Sequence, residues 1–384
     1  MTRWGLVALT AFWASWAHGA DEWGEIHIPK DGAIKVGLGA TLAGPLAALG
    51  AELRAAAEMA LSAKGQIHGH RVVLQAENDG CEGAPAVALA ERFCKDPTLV
   101  GVIGYLCSDA SLPASEIHDK HKIVMISPAS THPELTAREF KVVFRTCWND
   151  RIQAKAGAEL AVRNKWTRVA VIHERSAYGQ GLAEAFKRDL EAGGGKAVVV
   201  SGFNRGETEF PNTLGKIKAQ KPQLVYFAGT AAEGTLFARQ MSDAGLKVRL
   251  LTGDGCLAPR EFAQAAGKAA SGALVTAVRT PEGPALTEWT ARFEERHGPR
   301  RTFSPHAFDA ANLLLEAVEK AAQRKPDNSL VIGKKALRDA VAAARHQGVT
   351  GTITFDAQGD RTSSVVVFQR VVCEKEECRL QEPR

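Results

Sequence analysis

From about Lys30 onward, short apolar runs alternate with longer stretches whose apolar residues recur at helical spacing. Ala33–Gly39 reads as a buried strand. Leu53, Ala56, Ala57, Ala60 and Leu61 then fall at i, i+3, i+4, i+7 and i+8, the stripe of an amphipathic helix. The rhythm continues as strand Arg71–Ala76, helix Pro85–Lys95, strand Leu99–Gly104, helix Ala110–Lys120 and strand Ile123–Ile126. Apolar strands separated by helices predict a parallel sheet covered on both faces. A second series keeps the same beat, with helices at 152–164, 181–192, 211–220 and 232–245 and strands at 168–173, 196–201, 223–227 and 249–252. The remainder holds helical patterns at 286–296, 307–322 and 335–345. Two strand-like runs, Gly351–Phe355 and Ser364–Val372, read as a hairpin turning at Asp356–Asp360.

These last pieces are too few for a third unit and must complete the first two. The chain therefore passes between units near 145–150, 272–280 and 354–359. The expected architecture is α/β, with two doubly wound parallel-sheet lobes joined by a hinge of several crossings. One lobe would take residues 33–148 and 278–355, the other 149–277 and 356–384. A hinge of this kind encloses a cleft.

Composition agrees with two ordinary cores: of 384 residues, 45% are hydrophobic and 24% charged. The formal charge of +5 comes from scattered basic residues interleaved with acids, which gives no footing for nucleic acid. The first residues differ. Arg3 precedes the apolar run Trp4–Trp16, and Ala17 and Gly19 are small residues at the −3 and −1 positions of a cut after Gly19. Residues 1–19 are read as a secretory signal peptide, and the mature chain as exported and soluble. No cysteine follows the cut, so a lipid anchor there has no support. Export permits disulfides. Seven cysteines leave at least one thiol unpaired. Cys94, on a helical face with Val87 and Ala90, is expected to be a free core thiol. Cys373 and Cys378 could staple a terminal hairpin; no second pair of ligands nearby supports zinc.

Few stretches carry chemistry. Gly37-Leu-Gly39-Ala-Thr-Leu-Ala-Gly44 begins like a dinucleotide fingerprint, but Leu42 stands at its third glycine position. Gly194-Gly195-Lys196 lacks the hydroxyl residue of a phosphate loop and precedes a strand. No G-x-S-x-G elbow occurs. His118 and His121 lie one helical turn apart with no third ligand, and are read as a surface pair without metal. Cys107-Ser108 lacks the base and orienting group that a nucleophile needs. Ser108 reads as a cap for the helix beginning near Ala110. A helix N-terminus also suits a carboxylate ligand. The next strand ends alike, in Ser127-Pro-Ala-Ser-Thr131, and open α/β sheets bind ligands at such strand ends.

Together, Gly104-Tyr-Leu-Cys-Ser108, Ser127-Pro-Ala-Ser-Thr-His-Pro-Glu-Leu-Thr136, Phe144-Arg-Thr146 and Tyr178-Gly-Gln-Gly181 resemble the leucine/isoleucine/valine-binding proteins. These are the periplasmic solute-binding components of branched-chain amino-acid ABC transporters, of the type I periplasmic-binding fold. The resemblance runs from about Ile34 to at least Phe368. It implies that Ser108 and Thr131 hold a ligand carboxylate. The Ala129 carbonyl, the Thr131 hydroxyl and Asp254 would receive its ammonium. Leu49, Leu106, Tyr178, Thr230 and Phe303 would line the side-chain pocket. It further implies a Cys81–Cys107 disulfide, no cofactor, no metal and no catalysis. The partners would be a small amino acid or related carboxylate and a membrane permease, with the protein monomeric. Three departures stand out. Asp254 replaces a frequent glutamate, about 1.5 Å longer in reach, and Leu49 and Thr230 replace aromatics. A sensory binding protein for a small carboxylate, amide or aromatic acid, and an exported NAD-dependent enzyme using the Gly37–Gly44 loop, are the rival readings.

Overall fold

The computed structural model describes residues 21–382 with the exception of Glu376; the expected signal peptide lies outside the described residues. Two large sheets organise the chain. The first has six strands in the order Gln66–Ile67, His70–Asn78, Ile34–Ala40, Leu99–Gly104, Val124–Ser127 and Val143–Arg145. All but the outermost pairing, a short hairpin, are parallel. On one face, helices Ala47–Lys64 and Ser304–Ala321 bury Ala57, Ala60, Ala310 and Leu314 against Val36, Leu38 and Ile103. On the other, helices Gly83–Lys95 and Ser108–His121 bury Leu89, Phe93 and Ala114 against Val102 and Met125. The alanine-rich stripes let helices lie close to the strands, and the fully buried Leu99–Gly104 explains that run's lack of alternation.

The second sheet has seven strands in the order Lys196–Phe203, Arg168–Glu174, Leu224–Ala228, Arg249–Thr252, Leu274–Val278, Val366–Glu374 and Glu377–Gln381. Its first five are parallel and its last two antiparallel. Helices Pro211–Gln220 and Ala231–Asp243 cover one face, and Asp150–Arg163 and Ala177–Ala192 the other. Phe186 stacks on Tyr226 at 3.7 Å in the latter layer.

The chain passes between the sheets after Arg145, after Val278 and after Ile353. The second passage thus follows the strand Leu274–Val278 instead of falling within it. The expected hairpin of Gly351–Phe355 with Ser364–Val372 does not form. Gly351–Ile353 pairs with His346–Gly348, while Val366–Glu374 adds to the edge of the second sheet. A single isolated bridge, Phe355 to Arg361, closes the turn that follows Gly351–Phe355, short of the second run. Alternation marks a strand but cannot choose its neighbour. A small sheet in the order Glu25–Ile28, Leu330–Gly333, Ala322–Arg324 also brings in residues before Lys30, which the sequence pattern left unassigned. No helix among the described residues is long and apolar enough to cross a membrane.

Candidate functional site

The two hydroxyl-rich loops follow adjacent parallel strands of the first sheet. Gly104 makes this possible. Its φ is +147°, and a Cβ there would lie 2.6 Å from the Gly39 carbonyl. Tyr105 then folds its ring onto Gly39. Ser127 donates to the Tyr105 carbonyl at 3.2 Å and accepts the Ser130 N–H at 3.0 Å. Ser130 Oγ reaches the carbonyls of Tyr105 and Leu106, and lies 2.6 Å from Ser111 Oγ. Three hydroxyls therefore knit the two strand tips together. The helix opens at Ser108, with Cys107 at the cap position and extended. Ser108 is thus not the cap that the sequence suggested. It is buried within the first turn, where backbone N–H groups lack helical partners. The Cys81–Cys107 disulfide holds the preceding residue.

From Thr131 a continuous polar path crosses to the second sheet. The Thr131 carbonyl accepts the Asp150 N–H at 2.9 Å. One turn on, Gln153 Nε2 donates to Asp150 Oδ1 at 2.5 Å and to Asp254 Oδ1 at 2.7 Å. Its Oε1 accepts the Asp254 N–H at 3.1 Å and the Thr276 hydroxyl at 2.5 Å. Tyr178 donates to Asp254 Oδ1 at 2.7 Å and accepts the Gly255 N–H at 2.9 Å. Two buried aspartates thus share one amide. Burial pushes the Asp254 carboxyl above its ordinary range, against the hydrogen bonds of Gln153 and Tyr178. Burial, and then the charge of Asp254, push Asp150 well above it. Asp150 was not singled out in the sequence. An aspartate just past a strand end, followed by a helix, carries no signal distinguishing it from a surface residue.

Other contacts close the same region. Asp109 Oδ1 accepts the Ala177 N–H at 2.8 Å, placing an acid at the start of helix Ala177–Ala192. Arg205 reaches Glu174 at 2.8 Å, Cys81 Sγ at 3.1 Å and Asp109 at 3.7 Å. The His132 ring lies against Gly181. Leu49, Leu106, Ala129 and Phe303 share one apolar cluster, whereas Tyr178 packs into a core layer of the second sheet. Thr230 sits at the cap of Ala231–Asp243, its hydroxyl donating to Glu233 at 2.6 Å. Trp148, also missed in the sequence, stacks on Phe303 with centroids 5.2 Å apart.

The remaining candidates have structural explanations. Cys373 and Cys378 are bonded, while Cys94, Cys147 and Cys256 are thiols. Burial pushes the Cys94 thiol up to about 12, which makes it inert as a nucleophile. His118 is not at the surface: it is fully buried, 3.1 Å from the Tyr105 hydroxyl, and burial holds its pKa at about 3. His121 is half-buried. No cluster of three or more metal-ligating side chains occurs among the described residues. Gly37 faces Phe93 and Val102, and Gly39 faces Tyr105, so the glycine pattern serves packing.

A two-sheet molecule whose strand tips and acids converge across several chain passages has the form of a ligand-capture protein. The chain belongs to the periplasmic binding protein family, whose model matches residues 33–376. The family consists of substrate-binding proteins. A Leu/Ile/Val-binding protein homolog of Brucella melitensis is 33% identical over 340 residues, covering 86% of this chain and 89% of its own. A leucine-, isoleucine-, valine-, threonine-, and alanine-binding protein of Pseudomonas aeruginosa is 32% identical over 335 residues, covering 85% and 87%. Among solved structures, a leucine-binding protein of Thermotoga maritima superposes with a TM-score of 0.80 at 25% identity, covering 91% of this chain and 98% of its own.

Proposed function

We propose that this protein captures a small hydrophobic or branched α-amino acid between its two sheets and delivers it to the permease of an ABC transporter. It acts in the periplasm after loss of residues 1–19, as a carrier without catalysis. The supporting observation is the path Thr131–Asp150–Gln153–Asp254, which brings the first sheet's hydroxyl loops against acids of the second. Ser108 and Thr131 seat the carboxylate with hydroxyl and backbone N–H groups. The Ala129 carbonyl, the Thr131 hydroxyl and Asp254, joined here by Asp150, receive the ammonium. Two buried acids that share one amide and have no direct ion-pair contact among the described residues are costly, and an ammonium between them supplies an opposite charge. A neutral amide or a plain aromatic acid does not. Leu49, Leu106, Tyr178 and Phe303, with Trp148 behind Phe303, offer the side chain an apolar seat, and Thr230 leaves room where the family has an aromatic. The lobes divide as 33–148 with 278–355 and 149–277 with 356–384, and the protein works as a monomer.

A thermal-shift and calorimetric screen across L-amino acids, amides and aromatic acids tests this reading. An amino acid at a thousand-fold excess over its Kd stabilises the fold by about 4 kcal/mol. Stabilisation only by ligands lacking an ammonium would refute the assignment.

A further inference from the structure

We infer that Arg145 is a positioning residue that fixes the Thr131 seat and ties it to the hinge; the inference rests on Thr131 being a ligand contact. Arg145 ends the last strand of the first sheet and is fully buried. Its Nη1 donates to the Ser130 and His132 carbonyls, each at 3.1 Å, the two that flank Thr131. The carbonyl between them is taken by the Asp150 N–H. Three successive carbonyls are therefore each held, which fixes where the Thr131 N–H and hydroxyl stand. Arg145 Nη2 donates to Thr136 Oγ1 at 2.5 Å.

The same guanidinium is anchored in the passages between sheets. Its Nε lies 2.6 Å from Asp360 Oδ1, an ionic contact. Asp360 belongs to the third passage and also accepts from Thr136 at 2.8 Å and from Asn149 at 2.7 Å. Asn149 caps helix Asp150–Arg163 in the first passage. The backbone repeats the link, since the Arg145 N–H donates to the Gly359 carbonyl at 3.0 Å. A planar fork with several fixed donors can hold two carbonyls and a carboxylate at once, which a lysine cannot. Any rotation of the passages thus reaches the ligand loop through Arg145, and a seated ligand in turn favours one hinge geometry.

The test is a double-mutant cycle in the full exported protein, read by calorimetry. The probe is whichever of leucine, isoleucine, valine, threonine, alanine and phenylalanine stabilises the protein most. Asp360→Asn is nearly isosteric and removes the charge that anchors Arg145; Arg145→Lys keeps the charge and removes the fork. Each is expected to raise Kd about ten-fold. Thr131→Val raises it as well. Combining Thr131→Val with Asp360→Asn should depart from the product of the single effects by at least about three-fold, beyond what independent sites show. Multiplicative effects with each single variant weakened would overturn the role of Arg145 and leave the seat intact. Unchanged affinity in Arg145→Lys would also overturn it. Unchanged affinity in Thr131→Val, or no binding by any of the six, would overturn the seat and this inference together.

Discussion

In the proposed reading, Asp150 and Asp254 decide which ligand charge is accepted. Both carboxyls are raised, chiefly by burial, so the folded protein holds protons there that an unfolded chain would release. Their contribution to ligand-free stability is full below the ordinary aspartate value of 3.8, and falls as pH rises from there through the raised values. An ammonium guest reverses the sign. Affinity should climb with pH across that window, and binding should release protons. Calorimetry in two buffers of different ionisation enthalpy will measure the release; a buffer-independent enthalpy would show that the pair does not titrate on binding. Asp254→Asn should weaken amino-acid binding by about 2–5 kcal/mol, because the buried ammonium loses a charged partner. Calorimetric titration of the variant checks this, and full affinity would place the ammonium elsewhere.

At the scale of elements, the helix Ser108–His121 and its preceding disulfide carry the proposed carboxylate seat. Cys81 and Cys107 are 26 residues apart, whereas Cys373 and Cys378 are only 5 apart. On the loop-entropy model the first bond contributes about 3.5 kcal/mol and the second about 2. Replacing Cys81 and Cys107 by alanine should therefore lower unfolding free energy more than replacing the terminal pair, as read by denaturant titration. It should also weaken ligand binding, since Cys107 adjoins Ser108; equal stability losses with unchanged binding would refute both points. The Ser-Pro-Ala-Ser-Thr loop was legible because a short motif carries it, and the Cys81–Cys107 pairing only through the family resemblance. The partner of Val366–Glu374 was not, because pairing depends on which edge the fold leaves open. His118 misled for a related reason: helical spacing put it beside His121, and only packing shows that it faces Tyr105.

Across the whole molecule, contacts between the two halves flank the proposed ligand seat. Asp109 meets Ala177 on one helix pair, Arg205 joins Cys81, Asp109 and Glu174, and Arg301 bridges Glu52 and Glu261. His132 lies so close to Gly181 that a methyl group there would collide with its ring. Gly181→Ala should hold the halves apart and reduce affinity about ten-fold or more, a cost of about 1.4 kcal/mol. Small-angle scattering should show the wild type contracting on ligand addition and the variant contracting less. Unchanged affinity and contraction in the variant would show that closure does not use this contact.

Hydrophobic periodicity and local motifs, read along the chain alone, determined the βα rhythm, the two-lobed class and the hydroxyl-bearing strand ends. Each depends on residues close together in sequence or on a short recognisable pattern. Only the tertiary structure decided that Asp150 joins Asp254 through Gln153, that Arg145 clamps the carbonyls beside Thr131, and that Trp148 backs Phe303. These relations join chain positions up to about a hundred and fifty residues apart. Their physical meaning comes from burial and mutual distance, which no periodicity records.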